Sequence, residues 1–157
     1  MDLITVLKGD ATAPVRDGNR IICHVCNDIG GWGKGFVLAI SKRWKEPEAQ
    51  YRTWHTQGEA SGFRLGAIQL VRVTPDIEVA NMIAQRDVRP VAGVPPIRYD
   101  ALRECLATLA THAGNQQASV HMPRIACGLA GGTWSEVEAI IRATLVASGI
   151  PVCVYDL

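Results

Sequence analysis

Arg20-Ile21-Ile22-Cys23-His24-Val25-Cys26-Asn27-Asp28-Ile29-Gly30-Gly31-Trp32-Gly33-Lys34-Gly35-Phe36 changes character twice. It opens as an apolar strand over residues 20–25, entered from a turn at Asp17-Gly18-Asn19. It becomes a glycine-rich loop over residues 27–35. It then enters a helix whose Phe36, Ile40 and Trp44 recur at i, i+4 and i+8. The same order returns near the C-terminus. Val120-His121-Met122-Pro123 ends a strand, and Ala126-Cys127-Gly128-Leu129-Ala130-Gly131-Gly132 forms a second glycine-rich loop. Thr133-Trp134-Ser135-Glu136 then has the form of a capping box, predicting a helix capped by Thr133.

The intervening chain fills in around these two units. Leu3–Leu7 reads as a short strand closed by Lys8-Gly9-Asp10. A helix is expected from Pro47, a favoured first-turn residue, carrying Tyr51 and Trp54 inward. Ile68–Val73 and Glu78–Ile83 are strands joined at Thr74-Pro75-Asp76, and the near-continuous apolar run 67–71 suits a strand covered on both faces. Residues 85–98, with Pro90, Gly93, Pro95 and Pro96, read as a loop. Tyr99, Leu102, Leu106 and Leu109 form a helical stripe. Val137, Ile140, Ile141 and Leu145 give the last helix its buried face, Gly149 its stop, and Val152–Tyr155 makes a final strand. Strands alternate with helices and no linker or repeat intervenes. The expectation is one α/β domain over 1–157, with a mixed sheet and helices on both faces.

Composition narrows the function classes. The chain has 157 residues, is 48% hydrophobic and 20% charged, and carries a net charge of +1. That length suffices for one buried core. The charge offers no basic footprint for duplex nucleic acid. No apolar run approaches the roughly 20 residues needed to span a bilayer. The opening Met1-Asp2-Leu3-Ile4-Thr5 lacks the basic region of a secretory signal, so a cytoplasmic location is expected. The five cysteines, an odd number, fit a reducing compartment. Cys23-x-x-Cys26 is compatible with redox or metal chemistry. On a strand, however, residues three apart face opposite sides, and no second such pair stands in the sequence. Buried thiols are the simpler reading, and no metal or cofactor is expected.

Chemistry is expected where the two glycine loops meet. A helix N-terminus offers unpaired N–H groups and a partial positive charge, and glycine lets the backbone approach an anion closely. Two such loops at neighbouring strand ends would grip a diphosphate, in the place where α/β sheets bind ligands. Each loop alone is also a plain tight turn. Neither fits the commoner phosphate motifs. Gly33-Lys34 is followed by Gly35 instead of Ser or Thr, Asp28 stands where a Walker loop has glycine, and Leu38 breaks G-x-G-x-x-G.

Four stretches together carry a family resemblance. They are Gly9-Asp10; His24-Val25-Cys26-Asn27 running into Gly30-Gly31-Trp32-Gly33-Lys34-Gly35-Phe36; Met122-Pro123-Arg124-Ile125-Ala126-Cys127-Gly128-Leu129 with Trp134; and Val154-Tyr155-Asp156-Leu157. Over almost the whole chain, the sequence resembles macrodomains of the subgroup containing terminal ADP-ribose protein glycohydrolase and the yeast-type ADP-ribose-1″-phosphate phosphatase. The resemblance implies a three-layer α/β/α fold with a mixed sheet, and ADP-ribose or ADP-ribosylated proteins as partners. It also implies roles. Asp10 would accept from the adenine amine, and Asn27 with Gly33, Lys34, Gly35 and Phe36 would line the distal ribose. Cys127, Gly128, Leu129, Ala130, Gly131 and Gly132 would wrap the diphosphate. Tyr155 would stack on adenine, unless it is a core tyrosine.

The departures from the subgroup bear on mechanism. Where the glycohydrolase has a lysine nucleophile and an assisting aspartate, this chain has Gln85 and Ala130. Neither residue can perform that chemistry. Gln85 or Asn27 remains able to orient a water, while Asp28 is a solvated carboxylate or a base. His24 and His121 lie within strands and read as core histidines. An ester between ADP-ribose and Asp or Glu is labile enough for positioning to drive hydrolysis. The expected activity is removal of mono-ADP-ribose from acidic side chains by a water-based, lysine-independent route. The alternatives are a non-catalytic ADP-ribose reader and an ADP-ribose-1″-phosphate phosphatase.

Overall fold

The computed structural model describes residues 2–157. Six strands and four helices follow in the order β1 (Ile4–Lys8), β2 (Arg20–Asn27), α1 (Phe36–Arg43), α2 (Glu46–Gln57), β3 (Ile68–Thr74), β4 (Ile77–Gln85), α3 (Tyr99–Gln116), β5 (Ser119–Met122), α4 (Trp134–Thr144) and β6 (Val152–Asp156). The sheet order is β1-β6-β5-β2-β4-β3. All neighbours run parallel except β3, which pairs antiparallel with β4 through the Thr74–Ile77 turn.

The alternation of side chains along β2 builds the three layers. Ile21 and Cys23 join the core under α3 and α4, with Met82, Val120, Met122, Leu106 and Ile141. Ile22 and Cys26 face the other way, into the core under α1 and α2 with Ile40, Tyr51 and Ile83. Cys23 and Cys26 thus sit on opposite faces of the sheet, as strand geometry requires. Burial pushes both thiols well above their ordinary range.

Two local features differ from the sequence reading. Thr133 is the N-cap residue of α4 in extended conformation, but its side chain makes no capping bond. Its N–H, which Glu136 would take in a capping box, donates instead to the Tyr99 hydroxyl at 3.0 Å. Tertiary packing replaces the local cap. The 85–98 segment also has structure of its own. Val91 and Val94 exchange both backbone bonds at 3.0 Å around Ala92 (φ 53°) and Gly93 (φ 78°), making a tight hairpin. No helix among the described residues is long and apolar enough to cross a membrane.

Candidate functional site

At the C-terminal ends of β2, β4 and β5 the chain encloses a cleft of about 650 Å³, walled by both glycine loops and by the 85–98 segment. A register shift between Cys26 and Asn27 sets Asn27 opposite Gln85. This β-bulge delivers both side chains to the cleft floor.

Side chains knit the first loop. Asn27 Oδ1 accepts from the N–H groups of Ile29 (3.1 Å) and Gly31 (2.9 Å), while Nδ2 donates to the Gly31 carbonyl at 2.9 Å. The Tyr51 hydroxyl donates toward the Asn27 carbonyl (2.6 Å) and Oδ1 (2.9 Å). Trp32 is buried, with Nε1 donating to Ser41 at 2.8 Å and its ring edge-on to His24. Gly35 (φ 84°) opens α1, which no side chain caps. Among the described residues, the N–H groups of Gly33, Lys34, Gly35 and Phe36 find no acceptor.

Backbone packing holds the second loop. Gly132 N–H donates to the Ala126 carbonyl at 2.7 Å, Gly131 to Gly128 at 3.0 Å, and Ile97 N–H to the Ala130 carbonyl at 3.0 Å. A methyl group on Gly132 would stand 2.6 Å from the Ala126 carbonyl oxygen, and one on Gly131 would stand 2.9 Å from Pro95 Cβ. The N–H groups of Gly128, Leu129 and Ala130 likewise find no acceptor among the described residues. Two arcs of free amides therefore border one cleft. This is the arrangement that binds phosphate oxygens.

The charge of the lining is one-sided. Lys34, Arg89 and Arg124 line the cleft, and no carboxylate does. Arg124 is fixed by Asp156 through Nε (2.8 Å) and Nη2 (3.0 Å), with its guanidinium over the Trp134 ring. Asp28 lies outside the lining, and its Oδ1 accepts the Asp87 N–H at 2.7 Å. His24 is buried against Asn81 Oδ1 at 2.6 Å. Because the Asn81 amide donates to Pro47 and Gln69, its oxygen faces the ring, and His24 Nε2 carries the hydrogen. Burial lowers His24 to about 4 against the opposing effect of that bond, so the ring is neutral.

Of the residues read from sequence, Asn27, Gly33, Lys34, Gly35, Phe36, Gln85, Gly128, Leu129 and Ala130 come together in the cleft lining. Cys127, Gly131 and Gly132 lie outside the lining, Cys127 packed against the core under α3 and α4 and the two glycines in close contact with Pro95 and Ala126. Asp10 lies outside the lining. Its Oδ1 accepts from the Thr12 N–H (2.8 Å) and hydroxyl (2.7 Å), and Arg43 stands 3.8 Å away. Burial alone would raise its carboxyl, but the Thr12 bonds and Arg43 hold it below the usual range.

Tyr155 corrects the stacking expectation. It is 3% exposed, packed beneath Gly9 with Ala11 and Cys153. Its hydroxyl accepts from the Val15 N–H at 3.0 Å and bonds His121 Nδ1 at 2.7 Å, so its ring faces the core. Sequence reasoning missed Arg89, Val88 and Ile29 in the lining. Arg124 stood within the Met122–Leu129 stretch and had a readable signal. Ile29 lay within the first glycine loop with no role read for it, and Val88 and Arg89 sit in the irregular 85–98 segment, which carries no such signal.

Gln85, which the resemblance sets at the subgroup's lysine position, lies beside Asn27 in the cleft lining. Its Nε2 donates to the Asp87 carbonyl at 2.9 Å.

No family model matches the chain. Among curated proteins, it is 32% identical over 163 residues to the chromodomain-helicase-DNA-binding protein 1-like of Danio rerio. The match covers 97% of this chain and 15% of that protein, so the chain spans about a seventh of the relative's length. A shorter match, 38% identical over 60 residues, joins it to the ADP-ribose glycohydrolase OARD1 of Bos taurus, covering 38% of this chain and 40% of that one. The fold recurs in Thermosipho africanus DarTG at 16% identity, TM-score 0.80, over 99% of this chain and 42% of that one. The macrodomain protein of Streptomyces coelicolor is 53% identical, with a TM-score of 0.89 over 98% of this chain and 99% of that one. With identity at that level across both whole chains, and with the same three layers, the protein belongs to the macrodomain family.

Proposed function

We propose that this macrodomain binds ADP-ribose between its two glycine loops and hydrolyses mono-ADP-ribose from acidic protein side chains. One observation carries the reading. Two arcs of free backbone amides face a cleft lined by cations and no carboxylate, a setting suited to a diphosphate. Two relatives lend support, since DarTG is solved in complex with ADP-ribose and OARD1 is an ADP-ribose glycohydrolase.

The route is water-based. Asn27 Oδ1 already has its donors, so the Gln85 carbonyl oxygen is the free acceptor at the cleft floor for a water proton. Water attacking the anomeric carbon breaks the glycosyl C–O bond and expels the amino-acid carboxylate; water attacking the ester carbonyl breaks the acyl C–O bond and expels the ribose oxygen, which takes up a proton. Either way ADP-ribose and the free carboxylate form, and one proton passes to solvent. Fixing the ester beside that water is the protein's main contribution. A pure reader is the second reading, favoured by Gln85 and the buried Ala130 where the lysine and aspartate would act.

Incubation with a Glu-ADP-ribosylated protein separates the two, with release followed by chromatography. ADP-ribose release without a borohydride-trapped adduct supports the water route. Tight binding without release makes the protein a reader. A reducible adduct on Lys34, the lysine of the cleft lining, would replace the water route with a covalent one.

A further inference from the structure

Large apolar side chains are left exposed around the mouth of the cleft. Ile29 (47% exposed), Val88 (43%) and Leu129 (66%) line the cleft itself. Val91 (50%) and Val94 (49%) stand on the hairpin that follows Val88. Apolar side chains scattered singly over a surface need no explanation, whereas a group rimming a ligand cleft marks an interaction site.

The hairpin is held in place. Arg86 N–H donates to the Pro96 carbonyl at 2.8 Å, and Asp87 N–H donates to Asp28 of the first glycine loop at 2.7 Å. Pro95 packs against Gly131 of the second loop. Asp87 (φ 61°) and Ala92 (φ 53°) both take the left-handed conformation that L-residues resist. The chain thus accepts strain to hold two valines outward beside the cleft.

We propose that this rim is a docking surface for the protein segment that carries the ADP-ribose, and that it selects a modified residue flanked by apolar side chains. The proposal rests on the ADP-ribose reading of the cleft but not on hydrolysis. Charge chooses the partner. The cleft mouth offers Lys34 and Arg89, while the Asp28 and Asp87 carboxylates are turned into loop N–H groups. Cations beside exposed valines and leucine fit an acidic, apolar peptide. A nucleic-acid backbone would leave the valines without a partner.

The test measures affinity, using ADP-ribose fixed to a peptide side chain by a non-hydrolysable amide in place of the ester. The parent protein should bind a leucine-flanked peptide about tenfold more tightly than free ADP-ribose or a serine-flanked peptide. The double variant Val91→Ser/Val94→Ser, with an unchanged melting temperature, should lose that preference and bind free ADP-ribose as the parent does. Equal affinity of the parent for all three probes overturns the docking surface while leaving the cleft reading intact. A double variant that loses free ADP-ribose to the same degree also overturns it, because the hairpin would then be shaping the cleft. Failure of the parent to bind any probe sinks the ADP-ribose reading itself.

Discussion

The two glycine loops do similar work by opposite means. The first is organised from within by Asn27, whose amide and carbonyl meet Ile29, Gly31 and Tyr51. The second has no side chain of its own to organise it. It is shaped by close backbone contact at Gly131 and Gly132, and propped from outside by Pro95 and Tyr99. The contrast follows from what each must offer. The free amides of the first loop begin at Gly33, beyond the turn that Asn27 bonds, whereas those of the second, at Gly128, Leu129 and Ala130, lie inside the turn that Gly131 and Gly132 close, so its support comes from neighbours and from the absence of Cβ atoms. The first loop should therefore fail by losing polar groups, and the second by gaining volume.

The largest expected effect is in the second loop. Gly132→Glu places a Cβ 2.6 Å from the Ala126 carbonyl and adds a negative charge beside the free amides of Gly128, Leu129 and Ala130. Calorimetry should show no ADP-ribose binding at millimolar ligand. Binding within threefold of the parent would mean that this loop does not touch the ligand. The first-loop counterpart is Asn27→Ala, which strips acceptors from two loop N–H groups and a partner from Tyr51. Each unsatisfied buried group costs about 1–3 kcal/mol, so denaturant titration should register a loss of about 3 kcal/mol. A loss below about 1 kcal/mol would show that water replaces Asn27 and that the loop is not built on it.

The same contrast governs what the sequence disclosed. All six strands and four helices were legible, because apolar periodicity and glycine breaks are local signals. The glycine loops were legible for the same reason. What escaped depended on contacts distant in the chain. Thr133 matched a capping box, yet its N–H was claimed by Tyr99, 34 residues away. Tyr155, on its strand, offered no sign that the segment after β1 folds over it and ties its hydroxyl to Val15. Val88 and Arg89 reach the cleft only because Asp28 and Pro95 anchor their hairpin. A one-residue bulge that sequence pattern does not encode then sets Gln85 beside Asn27.

Acidification should strain the core beneath the first loop. His24 packs under Trp32 and Phe36, and its pKa is lowered to about 4 by burial from an ordinary 6.5. Between those values the unfolded chain binds a proton that the folded protein excludes. Stability is therefore full above 6.5 and falls as pH drops toward 4. From pH 7 to pH 5 the loss is about 2 kcal/mol for this histidine, at 1.36 kcal/mol per unit. His121, lowered to about 4 by burial and by Arg20 and Arg16, adds a similar decrement beneath Tyr155. In His24→Gln, which keeps a donor for Asn81 but does not titrate, the pH dependence over this range should shrink by about half. An unchanged pH dependence would place the titration elsewhere.

The smallest effect sharpens the comparison most directly, because each loop leans on one phenol. Tyr51, buried beneath the first loop, keeps its proton because burial pushes its pKa well above the ordinary range, and it shares that proton between two Asn27 oxygens. Tyr99, only partly buried, accepts a single N–H from Thr133 at the rear of the second loop. Tyr51→Phe removes a donor where water has no access, so a loss of about 1–1.5 kcal/mol is expected. Tyr99→Phe frees an N–H that solvent can reach, and the loss should stay below about 0.5 kcal/mol. Paired thermal or denaturant unfolding of the two variants measures the difference. Equal losses would mean that the second loop also hangs on a polar anchor. The division between a loop held by side chains and a loop held by its backbone would then be wrong, even if both still bind the same diphosphate.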